Sequence, residues 1–125
     1  VSVPHTWNRV GNYGMQQSPE ANADRGTGWY RLQFDMPKQH SGRQHFLQFD
    51  AVATIAEVWV NGLRVGEHKG AFSRFRFDVT EALKPGANLV VVKADNSAAA
   101  AGSSTEYVLP LGGDYFLFGG IYRNV

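Results

Sequence analysis

The stretch from Val58 to Val65, VWVNGLRV, leaves few folds open to this chain. Strand-forming residues run straight into Asn61-Gly62 and straight out again. A two-residue Asn-Gly loop between apolar strands is a type I′ turn, because both central positions need positive φ and the turn's twist suits antiparallel strands. With Asn61 and Gly62 at those positions, Val60 faces Leu63 and Val58 faces Val65 on one side of the sheet. Trp59 then faces Arg64 on the other side, where the guanidinium can lie on the indole. A slip of one residue would turn every valine to the wrong face, so the register is strongly specified.

Other stretches repeat the two-residue period. Tyr30, Leu32, Phe34 and Met36 alternate with Arg31, Gln33 and Asp35, which predicts a half-buried strand from Trp29 to Met36, stopped by Pro37. A polar loop at Lys38 to Gln44 leads to a strand at Phe46 to Phe49. Phe72 to Val79 alternates again, with Phe75, Phe77 and Val79 opposite Arg74, Arg76 and Asp78. Asp78 to Leu83 reads as one helical turn, capped by Asp78 or Thr80 and ended before Pro85-Gly86. Leu89 to Ala94 is a near-continuous apolar run, as expected of a strand covered on both sides. Residues 8 to 28 are expected to form a long loop, SAAAAGSST at residues 97 to 105 a flexible one, and a last strand is expected from Gly120 onward. Short strands with almost no helix predict an all-β fold, an antiparallel β-sandwich.

Composition narrows the function. With 125 residues, 43% hydrophobic and 13% aromatic, the chain is read as one folded domain over residues 1–125. Twelve Lys and Arg against eleven Asp and Glu give a net charge of +1, which provides no electrostatic case for nucleic acid or an anionic membrane surface. Without cysteine there are no disulfides or thiolate metal sites, and the compartment stays open. No apolar run approaches the length of a membrane span. His5, His40, His45 and His68 lack metal-ligand spacing, so zinc is not expected, and no cofactor is expected either. Gly112-Gly113 and Gly119-Gly120 do not open a helix after a strand, which removes a phosphate cradle. The start at Val1 and the strand-like end at Val125 read as those of a piece excised from a longer chain.

Five phrases in order bring a family into view: VPHTWN, GTGWYRLQF, FDAVATIAEVWVNGLRVGEHKGAFSRFRFDVT, KPGANLVVVKADNS and LPLGGDYFLFGGIYRNV. Together they span nearly the whole chain. The chain resembles the N-terminal sugar-binding domain of glycoside hydrolase family 2, which includes β-galactosidases, β-glucuronidases and β-mannosidases. The resemblance implies a jelly-roll sandwich of the galactose-binding-domain-like type. It also implies an immunoglobulin-like domain and a catalytic (β/α)8 barrel downstream as partners, with a terminal β-linked carbohydrate, most simply a β-galactoside, as substrate. The two glutamates of a retaining mechanism would lie on the barrel, so no catalytic residue is expected among these 125.

Two substrate-binding candidates remain. Asp114 stands eleven residues before Val125 in GGDYFLFGGIYRNV. By the resemblance, that position lies on a loop that reaches the active site and accepts sugar hydroxyls directly or through a cation. An ionised carboxylate accepts two hydroxyl donors at once, and losing such a contact removes about 1.5–3 kcal/mol. The residues alone favour a turn aspartate before the last strand; the resemblance favours the sugar contact. Asn96, at the end of the apolar run, is placed to line the same rim or to cap its own turn. Trp29 and Trp59 are expected in core or inter-domain packing, Trp7 at an interface with the barrel, and Asp50 and Asp95 in turns. Two readings compete with the glycosidase domain: an autonomous, non-catalytic carbohydrate-binding module, and a spacer that has lost its sugar contact.

Overall fold

The computed structural model describes residues 1–8, 25–37, 42–108 and 118–125. Within them lie six strands: β1 (Thr27–Met36), β2 (Phe46–Phe49), β3 (Ile55–Val60), β4 (Leu63–Lys69), β5 (Phe75–Asp78) and β6 (Gly86–Asp95). They form an antiparallel four-stranded sheet in the order β1-β6-β3-β4 and a two-stranded sheet of β2 and β5. Phe49, Val58, Val60, Val90, Val92 and Ala94 form the core between the sheets, with Tyr30, Phe34, Phe75 and Phe77 packed against it. Phe49 and Phe75 stack at 4.9 Å, and His68 lies on Phe75 at 4.1 Å. Burying a side chain such as Phe49 contributes about 1.5–3 kcal/mol. The all-β sandwich predicted from the alternation is the fold observed.

The Asn61-Gly62 turn has φ of 52° and 84°, as a type I′ turn demands. Val60 pairs with Leu63 and Trp59 with Arg64, as expected. One step further the register shifts, and Val58 pairs with Gly66 and not with Val65. Val65 is the extra residue of a β-bulge. The cause is tertiary: the Phe77 ring from the facing sheet lies where a Cβ on residue 66 would stand, so a glycine has to face it. Asn61 also serves beyond its φ. Its Nδ2 donates to Ala82 O and Asn88 Oδ1, both at 2.8 Å, and its Oδ1 accepts from Leu89 N at 3.0 Å. Asn88 is buried and satisfied in turn by Lys84 N, Lys84 O and Gly86 O.

The outer face of the four-stranded sheet departs from expectation. Arg64 does not lie on Trp59; its Nη2 is held by Glu67 at 2.7 Å and Glu57 at 3.2 Å. Two carboxylates attract a guanidinium more strongly than an indole face does at an exposed site. Trp59 instead stacks on Trp29 from β1 with ring centroids 5.6 Å apart. β1 and β3 flank β6, so the indoles meet above it, and this accounts for the apolar run on β6. Val90, Val92 and Ala94 enter the core, while Val91 is half-buried on the indole side.

Three further expectations are corrected. The turn after β5 is a 3-10 turn over Thr80–Ala82 whose cap position is Val79, without a side-chain cap bond. Asp78 acts one residue earlier, accepting from the Thr80 backbone N and hydroxyl. Among the described residues, 120 to 125 join no ladder; Gly120 bridges Ala53, while His5 N bonds Ile121 O and Asp50 N bonds Asn124 O. Residues 97 to 105, expected as a flexible loop, are a bonded series of turns.

Gly66→Ala is expected to push a methyl group into the Phe77 ring and lower stability by about 1–3 kcal/mol. Urea denaturation would read this as a lower midpoint at unchanged slope.

Candidate functional site

β6 runs out of the sheet at Asp95, and the residues beyond it build one end of the sandwich. Asn96 extends the pairing with β1 by one step. Its backbone N donates to Gly26 O at 3.0 Å, and its side-chain Oδ1 accepts from Gly26 N at 2.9 Å. The side chain thus replaces a strand carbonyl at the sheet's end and is fully buried. Its observed contact with Gly26 holds the backbone.

Asp95 organises the first stem. Its Oδ1 accepts from Ser97 N at 2.8 Å, and its Oδ2 from the Ser104 hydroxyl at 2.9 Å. Burial pushes this carboxyl up, but the bonds from Ser97 and Ser104 and the nearby Lys93 charge outweigh it, leaving the carboxyl below its usual range. Thr105 is buried and donates to Ala98 O at 3.3 Å, Gly102 N donates to Glu106 Oε2 at 2.7 Å, and Val108 N donates to Thr105 O at 3.1 Å. Small polar side chains therefore hold the path up to Val108.

The second stem re-enters at Phe118-Gly119. Gly119 N donates to Asn8 Oδ1 at 2.6 Å, and Gly119 O accepts from the Thr6 hydroxyl at 2.8 Å. A Cβ on Gly119 would overlap the Trp7 indole and stand 2.6 Å from Asn96 Cγ; one on Gly28 would stand 2.6 Å from Trp7 Cζ3. The half-buried Trp7 ring lies between the backbones of Gly28 and Gly119. His5 Nδ1 and the Tyr30 hydroxyl, 2.9 Å apart, close the same cluster from β1.

Asp114 lies outside the described residues, between these two stems. Beside the first stem opens a recess of about 470 Å³ lined by Lys69, Gly70, Ser103, Ser104, Glu106 and Tyr107 among others. The Tyr107 side chain is 92% exposed there, and Lys69 Nζ sits 3.5 Å from Glu67. A hydroxylated ligand would meet an aromatic face, hydroxyls and an ammonium group. Among the described residues no cluster of three or more His, Cys, Asp or Glu is placed to hold a metal. The roles of Thr6 and Asn8 have no signal in the sequence, because Gly119 lies more than a hundred positions away.

The model of glycosyl hydrolases family 2, sugar binding domain, matches residues 1–125. The chain belongs to glycosyl hydrolase family 2. A β-galactosidase of Thermoanaerobacter pseudethanolicus is 38% identical over 130 residues, covering all of this chain and 16% of that protein. A β-glucuronidase of Bacteroides fragilis is 37% identical over 128 residues, again covering the whole chain and 17% of the relative. Among solved structures, a putative β-galactosidase from Bacteroides fragilis superposes with a TM-score of 0.78 at 36% identity, over 98% of this chain and 17% of that one. A Bacteroides uniformis β-glucuronidase gives 0.76 at 32% identity, over 98% of this chain and 13% of its own. The family 2 chain described here thus spans about one sixth of the curated relatives it matches.

Two variants test the family 2 rim. Asn96→Ala is expected to leave the Gly26 N–H without its acceptor, lower stability by about 1–3 kcal/mol and speed amide exchange at Gly26. A carboxyl depressed by folding stabilises the fold above the unfolded-state value of about 4, and this is lost as pH falls through the lower folded value. Asp95→Asn should therefore melt below the wild type at neutral pH, with the gap closing in acid.

Proposed function

We propose that this chain is the N-terminal domain of a longer, retaining family 2 glycosidase that hydrolyses a terminal β-linked sugar, and that it contributes one wall of the sugar pocket. Family membership supports glycoside hydrolysis as the parent activity. The observation that carries the role of this domain is the double anchoring of the segment around Asp114. The stem at Asp95–Val108 and the stem at Phe118–Gly119 are each held by short bonds at the same end of β6. A segment tied at both ends is suited to presenting a carboxylate beyond the sandwich at small ordering cost. Asp114 would accept sugar hydroxyls there, and Asn96 supports the rim from beneath. An immunoglobulin-like domain and a (β/α)8 barrel further along the parent chain would supply the acid/base and nucleophilic glutamates.

The substrate we favour is a β-galactoside, in keeping with the β-galactosidase relatives. The β-glucuronidase relatives make a β-glucuronide the rival substrate. Lys69 at the recess favours that rival specifically, because an ammonium group suits a uronate carboxylate.

The test is Asp114→Ala in the full-length protein against a panel of aryl β-glycosides. The galactoside is expected to be the best substrate, and kcat/KM is expected to fall by roughly 10- to 150-fold while the melting temperature of the domain is unchanged. Undiminished activity would remove Asp114 from the pocket. A polypeptide without glycosidase activity that still binds monosaccharide would make this an autonomous binding module.

A further inference from the structure

Trp29 is 56% exposed although it stacks on Trp59, so one indole face is covered and much of the ring is open to solvent. Beside it Arg31 lies two residues along the same outward face of β1, and the two side chains line a shallow recess of about 380 Å³. Among the described residues Arg31 takes part in no ion pair or hydrogen bond. The neighbouring charges on this face are committed to one another. Glu57 binds Lys93 at 2.8 Å and Arg64 at 3.2 Å, and Glu67 binds Arg64 at 2.7 Å and Lys69 at 3.5 Å. The Lys93 bond, opposed by burial and helped by the Lys93 and Arg64 charges, holds the Glu57 carboxyl below its usual range.

We propose that Trp29 and Arg31 form a binding site for an acidic sugar residue of a glycan on the outer face of the four-stranded sheet. An indole face removes the apolar C–H side of a sugar ring from water, and a free guanidinium takes a ring carboxylate in a two-bonded fork. The stack on Trp59 holds the indole in place, so little ordering is needed on binding. The charged row decides against a protein occupant. A stable protein contact covers about 800 Å² on each partner and is poor in charge at its centre. Such a contact would strip water from Glu57, Arg64, Glu67, Lys69 and Lys93, whereas a single sugar residue need touch only Trp29 and Arg31. The choice of a glycan as ligand rests on the glycosidase reading above; the choice of an acidic one rests on the unpaired Arg31.

The test is calorimetric titration of the full-length protein with a linear trisaccharide of galacturonic acid, and with its methyl ester as a control that keeps the rings and removes the charge. Saturable binding of the acid is expected, with the ester at least about tenfold weaker. Trp29→Ala should abolish binding, and Arg31→Gln should bring the acid down to the level of the ester. Arg31→Gln should melt as the wild type does and Trp29→Ala slightly lower, through loss of the stack on Trp59, and both should hydrolyse small aryl β-glycosides at the wild-type rate. Absence of binding at millimolar trisaccharide by an active enzyme would overturn the site while leaving the glycosidase reading intact. Equal binding of acid and ester would overturn the acidic class. Loss of self-association in Trp29→Ala, without any sugar binding, would make the stack a protein contact and overturn the proposal.

Discussion

Pairing along both edges of β6 is the constraint on which the rest of the domain depends. Ten register pairs tie it to β1 and six to β3, so the four-stranded sheet is assembled around it. Its inward Val90, Val92 and Ala94 meet the second sheet, and its outward Val91 lies under the stacked indoles. Both ends of the strand also carry side chains that stand in for backbone. At the start, Asn61 donates to Asn88, and the two side chains bond the chain around Lys84 and Leu89. At the finish, the Asn96 side chain accepts from Gly26 N. The strand thus fixes the turn at one end of the sandwich and the rim at the other.

The rim is built in a different manner from the core. The core relies on apolar burial, which is tolerant of exchange among residues of similar volume. The rim relies on short directed bonds: Asp95 to Ser97 and Ser104, Thr6 and Asn8 to the two polar groups of Gly119. Such directed bonds fix positions more narrowly than apolar burial does.

What could be read from the residues alone follows from the range of the physics involved. The type I′ turn was legible because its φ requirement is local to Asn61 and Gly62. The alternating strands were legible because burial on one face imposes a two-residue period. The bulge at Val65 was not, because it answers to the Phe77 ring from the other sheet. Arg64 was assigned to the nearest aromatic in register, while the structure gives it to two carboxylates. The family 2 assignment came from whole phrases and held over all 125 residues. Of the two site residues, Asn96 was placed at the correct end of its strand, but its bond to Gly26 has no local signature. Asp114 lies outside the described residues.

The cluster around Trp7 has a consequence for the order in which the domain is made. Thr6 bonds to Gly119 across a separation of 113 residues, and the Trp7 ring lies against Gly28 and Gly119 together. Contacts of such span carry a large loop-closure entropy and form late. A ribosome releases the chain from its N-terminus, so Trp7 emerges long before the glycine that covers it. Until Gly119 arrives, the indole has only half its seat and the two stems are not joined. The contacts that close this end of the sandwich therefore wait for Gly119 to be made.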